Sequence, residues 1–127
     1  MVKILHVEDN ATQRELMRRL LSLELPDCQI ESASNGIEGL ACAQSWLPDV
    51  ILMDLRMPKM DGFEAIAALK SIAATADIPI IAVSAWSTVQ NEERALSLGA
   101  VRCIVKPFDI DDVIRAINAC LATGEPS

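Results

Sequence analysis

The sequence predicts an α/β domain built on an open, five-stranded parallel sheet with helices on both faces. Three observations carry that prediction. Five short apolar runs recur along the chain, at residues 2–7, 28–33, 49–53, 79–83 and 102–105. Stretches with the 3.6-residue period of an amphipathic helix lie between them. Each such stretch opens with a side chain able to cap a helix, three residues before a second polar one.

The first run, 2–7, is a strand, and the helix after it opens at Asn10 and Gln13 and carries its apolar stripe on Leu16, Leu20, Leu21 and Leu23. The second run, 28–33, alternates apolar and polar residues more than the others, as a strand at a sheet edge does. Asn35 and Glu38 then start a second helix, which Pro48 brings to a stop. The third run holds Val-Ile-Leu-Met at 50–53 without alternation, the mark of a strand buried on both faces. Asp61 and Glu64 start the third helix. Pro79 opens the fourth strand, where a missing N–H matters least, and Ser87 with Gln90 starts a fourth helix that ends at Gly99. The fifth run, 102–105, is followed by Asp109 and Asp112 and a helix with Val113, Ile114, Ile117 and Leu121 on one face. Five β-to-α alternations with right-handed crossovers make the sheet parallel, and such sheets bind ligands beyond the carboxyl ends of their strands.

At 127 residues the chain has room for one domain, taken as residues 1–122, with 123–127 as a short tail. Its composition is 51% hydrophobic and 23% charged, as in ordinary globular proteins. A net charge of -7 with only 11 Lys and Arg argues against direct nucleic-acid binding. The amino-terminal residues MVKILHVEDN meet two acids too soon for a signal peptide or a membrane span, so a cytoplasmic location is expected. Cys28, Cys42, Cys103 and Cys120 are too widely spaced for a metal set and are read as buried small hydrophobes. His6, the single histidine, lies in an apolar run and is read as a packed residue.

The strand ends carry Glu8 and Asp9 after the first strand, Asp54 after the third, Ser84 after the fourth and Lys106 after the fifth. All face one rim. Three carboxylates held together repel one another unless a hard divalent cation with oxygen ligands neutralises them, and Mg2+ is the natural choice. A lysine and a hydroxyl opposite leave space for a phosphoryl group, with one carboxylate placed to attack phosphorus.

These residues resemble the receiver domain of two-component response regulators over essentially the whole chain. The segments HVEDN, ILMDLRMPKMDG, AVSA and VKPF carry the resemblance, as do Pro58 and Gly62 after Asp54 and the 22 residues between Ser84 and Lys106. It implies a flavodoxin-like, doubly wound (βα)5 fold with strand order 2-1-3-4-5. It also implies that Asp54 accepts a phosphoryl group from the phosphohistidine of a sensor histidine kinase or histidine phosphotransfer protein. Asp9 and Asp54 would hold Mg2+ directly, with Mn2+ as a substitute; Glu8 would hold it through water and Arg56 through its main-chain carbonyl. Lys106 would neutralise one phosphoryl oxygen and Ser84 would bond another, moving the face of the fourth helix, fifth strand and fifth helix, through which homodimers or a downstream protein could engage. The family also implies a cis bond between Lys106 and Pro107, and places Trp86 and the Arg56 side chain on the rim, at positions that influence how water reaches the acyl phosphate. Two readings follow: Trp86 and Arg56 shield the phosphoryl group and slow its hydrolysis, or Trp86 is a surface aromatic that helps dock a partner. Turnover of external substrates is not implied, only slow self-dephosphorylation.

One departure stands out. Where the family usually has a Tyr or Phe three residues before the lysine, this chain has Cys103. The output face then responds by backbone motion alone, or the domain serves as a phosphoryl relay. A phosphatase of the haloacid dehalogenase type would need an acid two residues after Asp54, and Arg56 stands there. A flavin mononucleotide site would be repelled by the acids at Glu8 and Asp9.

Overall fold

The computed structural model describes residues 1–85 and 88–123. The elements alternate as β1 (Lys3–Val7), α1 (Ala11–Glu24), β2 (Gln29–Ala33), α2 (Gly36–Trp46), β3 (Val50–Met53), α3 (Gly62–Ser71), β4 (Ile80–Ser84), α4 (Val89–Leu98), β5 (Arg102–Val105) and α5 (Ile110–Thr123). All strand pairs are parallel, in the order β2-β1-β3-β4-β5. The alternating second run is an edge strand, as its pattern requires. Strands start a residue later than the apolar runs at four places; at two of them the first residue still accepts from a neighbouring strand, Val2 O from the Gln29 N–H and Pro79 O from the Ile51 N–H. Pro79, lacking an N–H, still accepts from the Ile51 N–H at 3.0 Å, and β4 begins at Ile80.

The sheet divides two cores. Leu5, Val7, Ile51, Met53 and Ala82 pack beneath α2, α3 and α4 with Phe63, Ile66 and Leu69. Ile4, Val50, Leu52, Ile81 and Val83 pack beneath α1 and α5 with Met17, Leu21, Val113 and Ile117. Strands β3 and β4 are buried throughout, which explains their unbroken apolar runs. Each Ile or Leu removed fully from water contributes about 1.5–3 kcal/mol.

The helix starts follow the sequence at four of five places, each cap worth about 1 kcal/mol. Asn10 accepts from the Gln13 N–H, Asn35 from Glu38, Asp61 from Glu64 and Asp109 from Asp111. The reciprocal box closes at Asp61 and Glu64, whereas Glu38 reaches back one residue further, to the N–H and hydroxyl of Ser34. The fourth start differs. Thr88 caps α4, accepting from the Asn91 N–H, one residue after the expected Ser87, which lies outside the described residues. Gly99 ends α4 at φ 124, a conformation an L side chain rarely adopts.

Trp46 ends α2 against the core, and the Lys3 ammonium both donates to its carbonyl at 2.6 Å and lies over its ring. The four thiols are free, and only Cys120 is buried; Cys28, Cys42 and Cys103 are half-buried, short of the full burial expected of them. Removal from water raises all four thiol pKa values.

Candidate functional site

Backbone hydrogen bonds that run one step past the strands build the site. The Glu8 N–H donates to Ala33 O at 3.0 Å and the Asp54 N–H to Val7 O at 3.0 Å, so Asp54 sits beside the end of β1. The Lys106 N–H donates to Ser84 O at 3.0 Å, which sets the lysine next to the last residue of β4. Four of the five strands therefore deliver their ends to one rim.

The carboxylates of Glu8, Asp9 and Asp54 offer oxygens that all lie within 4.8 Å of one another. Glu8 is 2% exposed and Asp54 7%, while Asp9 is open to solvent. The Asp9 pKa is raised, by partial desolvation first and then by the adjacent Glu8. Among the described residues, Lys106 is paired with this cluster: its Nζ is 2.5 Å from Glu8 Oε1 and 3.5 Å from Asp54 Oδ2. An all-oxygen acidic set of this size suits a hard divalent ion.

The loops hold these groups in place. The Asn10 N–H donates to Glu8 Oε2 at 3.1 Å, Arg14 Nη1 to the Glu8 carbonyl at 2.7 Å, and the Arg56 N–H to Asp54 Oδ1 at 3.2 Å. The Gly62 N–H donates to Leu55 O at 2.9 Å, and a Cβ at residue 62 would fall 2.2 Å from Asp54 O. Only glycine lets α3 start this close to the Asp54 backbone. The bond between Lys106 and Pro107 is cis.

Ser84 is buried at 4% exposure. Beside it, half-buried Cys103 points its thiol toward Glu92 O of α4 at 4.0 Å, and the space they share with Leu55 measures about 10 Å³. That is scarcely room for a water. Trp86 lies outside the described residues. His6 is packed, as expected, but its Nδ1 finds no partner among the described residues, and burial pushes its pKa down to about 3.

Sequence reasoning missed Gln13. Read there as part of a helix cap, its side chain instead accepts from Lys106 Nζ at 2.6 Å, across 93 residues of chain. The available signal was its place at the third position of α1, one turn from the rim. A cavity of about 630 Å³ opens beside this pair, between Leu16, Met17 and Leu20 of α1 and Phe108 and Ile110 beyond β5.

The response regulator receiver domain family matches residues 4–118. Protein PilH of Pseudomonas aeruginosa is 36% identical over 122 residues, 96% of this chain and 99% of that protein. The DNA-binding dual master transcriptional regulator RpaA of Synechocystis is 32% identical over 95% of this chain, which spans about half of that regulator's length (49%). Among solved structures, the receiver domain of a DNA-binding response regulator from Colwellia psychrerythraea superposes with a TM-score of 0.90 at 30% identity, covering 97% of this chain and 100% of that one. The receiver domain of a sensor histidine kinase from Pseudomonas aeruginosa, solved with a magnesium ion coordinated in its active-site cleft, gives 0.87 at 27%, covering 96% and 98%. With its fold, its rim of acids and its lysine, this chain belongs to the response regulator receiver domain family.

Proposed function

We propose that Asp54 is a phosphoacceptor that takes a phosphoryl group from the phosphohistidine of a sensor histidine kinase or histidine phosphotransfer protein. A carboxylate oxygen of Asp54 attacks phosphorus, the P–N bond breaks, and the donor imidazole leaves with the electron pair, leaving an aspartyl phosphate. Lys106 neutralises a phosphoryl oxygen and the Ser84 hydroxyl donates to another. The observation that carries this reading is the convergence of three carboxylates and one ammonium on a single rim.

Glu8, Asp9 and Asp54 fit Mg2+ or Mn2+ by donor type and spacing, with the Arg56 carbonyl as a further oxygen. When bound, the ion supplies charge neutralisation for the attacking and transferring oxygens. The residues of the chain do the rest: the Arg56 and Asn10 N–H groups orient the carboxylates, and Lys106 holds the opposite side.

The apolar cavity beside Lys106 supports a docking place for the donor protein, since its histidine has to reach Asp54 and the cavity is walled in part by Glu8 and Lys106, which lie beside Asp54. Trp86 and the Arg56 side chain are assigned to shielding the acyl phosphate from water, and the α4, β5 and α5 face to a downstream protein or a second copy. The filled slot at Cys103 favours relay, or an output move of the backbone, over the swing of an aromatic ring. No described helix is long and apolar enough to cross a membrane, and the four free thiols suit a reducing cytoplasm.

Incubation with Mg2+ and acetyl phosphate, followed by intact-mass measurement, tests the central reading. The wild type gains one phosphoryl group and Asp54→Asn gains none. A wild type that stays unmodified and does not bind beryllium fluoride overturns it.

A further inference from the structure

We propose that Gln13 is a positioning residue for Lys106, holding its ammonium at the rim where phosphoryl oxygens arrive. The inference rests on the reading of Asp54 as phosphoacceptor. An ammonium has three N–H donors, and Lys106 has three acceptors: Glu8 Oε1 at 2.5 Å, Gln13 Oε1 at 2.6 Å and Asp54 Oδ2 at 3.5 Å. The two short bonds go to Glu8 and Gln13, and the contact with Asp54 is the longest of the three. The two carboxylate partners are also members of the acidic cluster. A divalent cation there competes for their lone pairs and repels the ammonium. Gln13 is the acceptor that stays, because it is neutral and lies outside the cluster.

Its own place is set by the fold. The Gln13 N–H is tied to Asn10 Oδ1 at 2.9 Å, so the side chain leaves from the first turn of α1, next to the loop that Arg14 ties to Glu8 O. A flexible four-carbon lysine otherwise spreads over several rotamers, and a second fixed acceptor narrows that spread before the phosphoryl group arrives. A methionine at 13 keeps the length of the side chain and removes the acceptor.

Beryllium fluoride affinity at saturating Mg2+, followed by NMR titration, reads the effect without turnover. Gln13→Met is expected to bind about fivefold or more weakly than the wild type, with Mg2+ affinity changed by no more than about twofold, as befits a residue that is not a ligand. In a Lys106→Ala background, Gln13→Met has no further effect, and in metal-free protein Lys106→Ala shifts the side-chain amide resonances of Gln13. Wild-type affinity in Gln13→Met, or an equal loss with and without Lys106, overturns the assignment. A wild type that binds no beryllium fluoride fails earlier, at the Asp54 reading.

Discussion

Gly62 lies against the main chain of Asp54, so closely that a Cβ at 62 would stand 2.2 Å from the Asp54 carbonyl oxygen and 2.6 Å from Leu55 Cα. Backbone, unlike a side-chain tip, has no rotamer by which to move aside. The start of α3 and the loop of the proposed phosphoacceptor are therefore one rigid piece.

Gly62→Ala is expected to lower stability by about 1–3 kcal/mol through overpacking and to slow phosphorylation by acetyl phosphate, because relief of the clash moves Asp54. Urea unfolding and intact-mass time courses measure the two effects. Unchanged stability would show that the α3 start yields without cost.

His6 makes acid stability asymmetric. Its pKa is about 3 in the folded protein, chiefly from burial and then from the charges of Lys106 and Arg14, against an ordinary 6.5. The unfolded chain takes up a proton as pH falls below about 6.5 and the folded protein does not until about 3. The stabilisation present above pH 6.5 is thus lost as the pH falls toward 3. His6→Leu removes that loss and also the buried Nδ1, which has no partner among the described residues and whose burial costs about 1–3 kcal/mol. Urea midpoints at pH 7 and pH 5 should show a smaller drop for the variant than for the wild type.

Leu16 stands 53% exposed on α1 at the wall of the 630 Å³ cavity. Leu16→Glu is expected to leave phosphorylation by acetyl phosphate within about twofold of wild type, since it touches no group at Asp54, while slowing transfer from a phosphohistidine protein about tenfold or more. Equal rates from the protein donor would move the docking surface elsewhere.

Cys103 sits over a slot of about 10 Å³ closed by α4. Restoring the family's aromatic residue with Cys103→Phe therefore forces the ring outward or displaces α4, at a cost of about 1–3 kcal/mol in the unphosphorylated protein. Urea unfolding reads the cost, and a variant as stable as wild type would show that α4 already has the freedom to admit a ring.

By itself the sequence determined the order of strands and helices, the strand ends that bear Glu8, Asp9, Asp54, Ser84 and Lys106, and the caps at Asn10, Asn35, Asp61 and Asp109. Periodicity and capping act over a few residues, so they are written locally. Tertiary structure alone decided which ends meet. The tie of Gln13 to Lys106 spans 93 residues, the fit of Gly62 on Asp54 depends on how α3 enters the sheet, and the orphaned Nδ1 of His6 depends on what α1 and α5 cover. The cap of α4 moved to Thr88 because Ser and Thr stand side by side at 87 and 88, and local pattern cannot choose between two adjacent hydroxyls that α4, once packed, distinguishes.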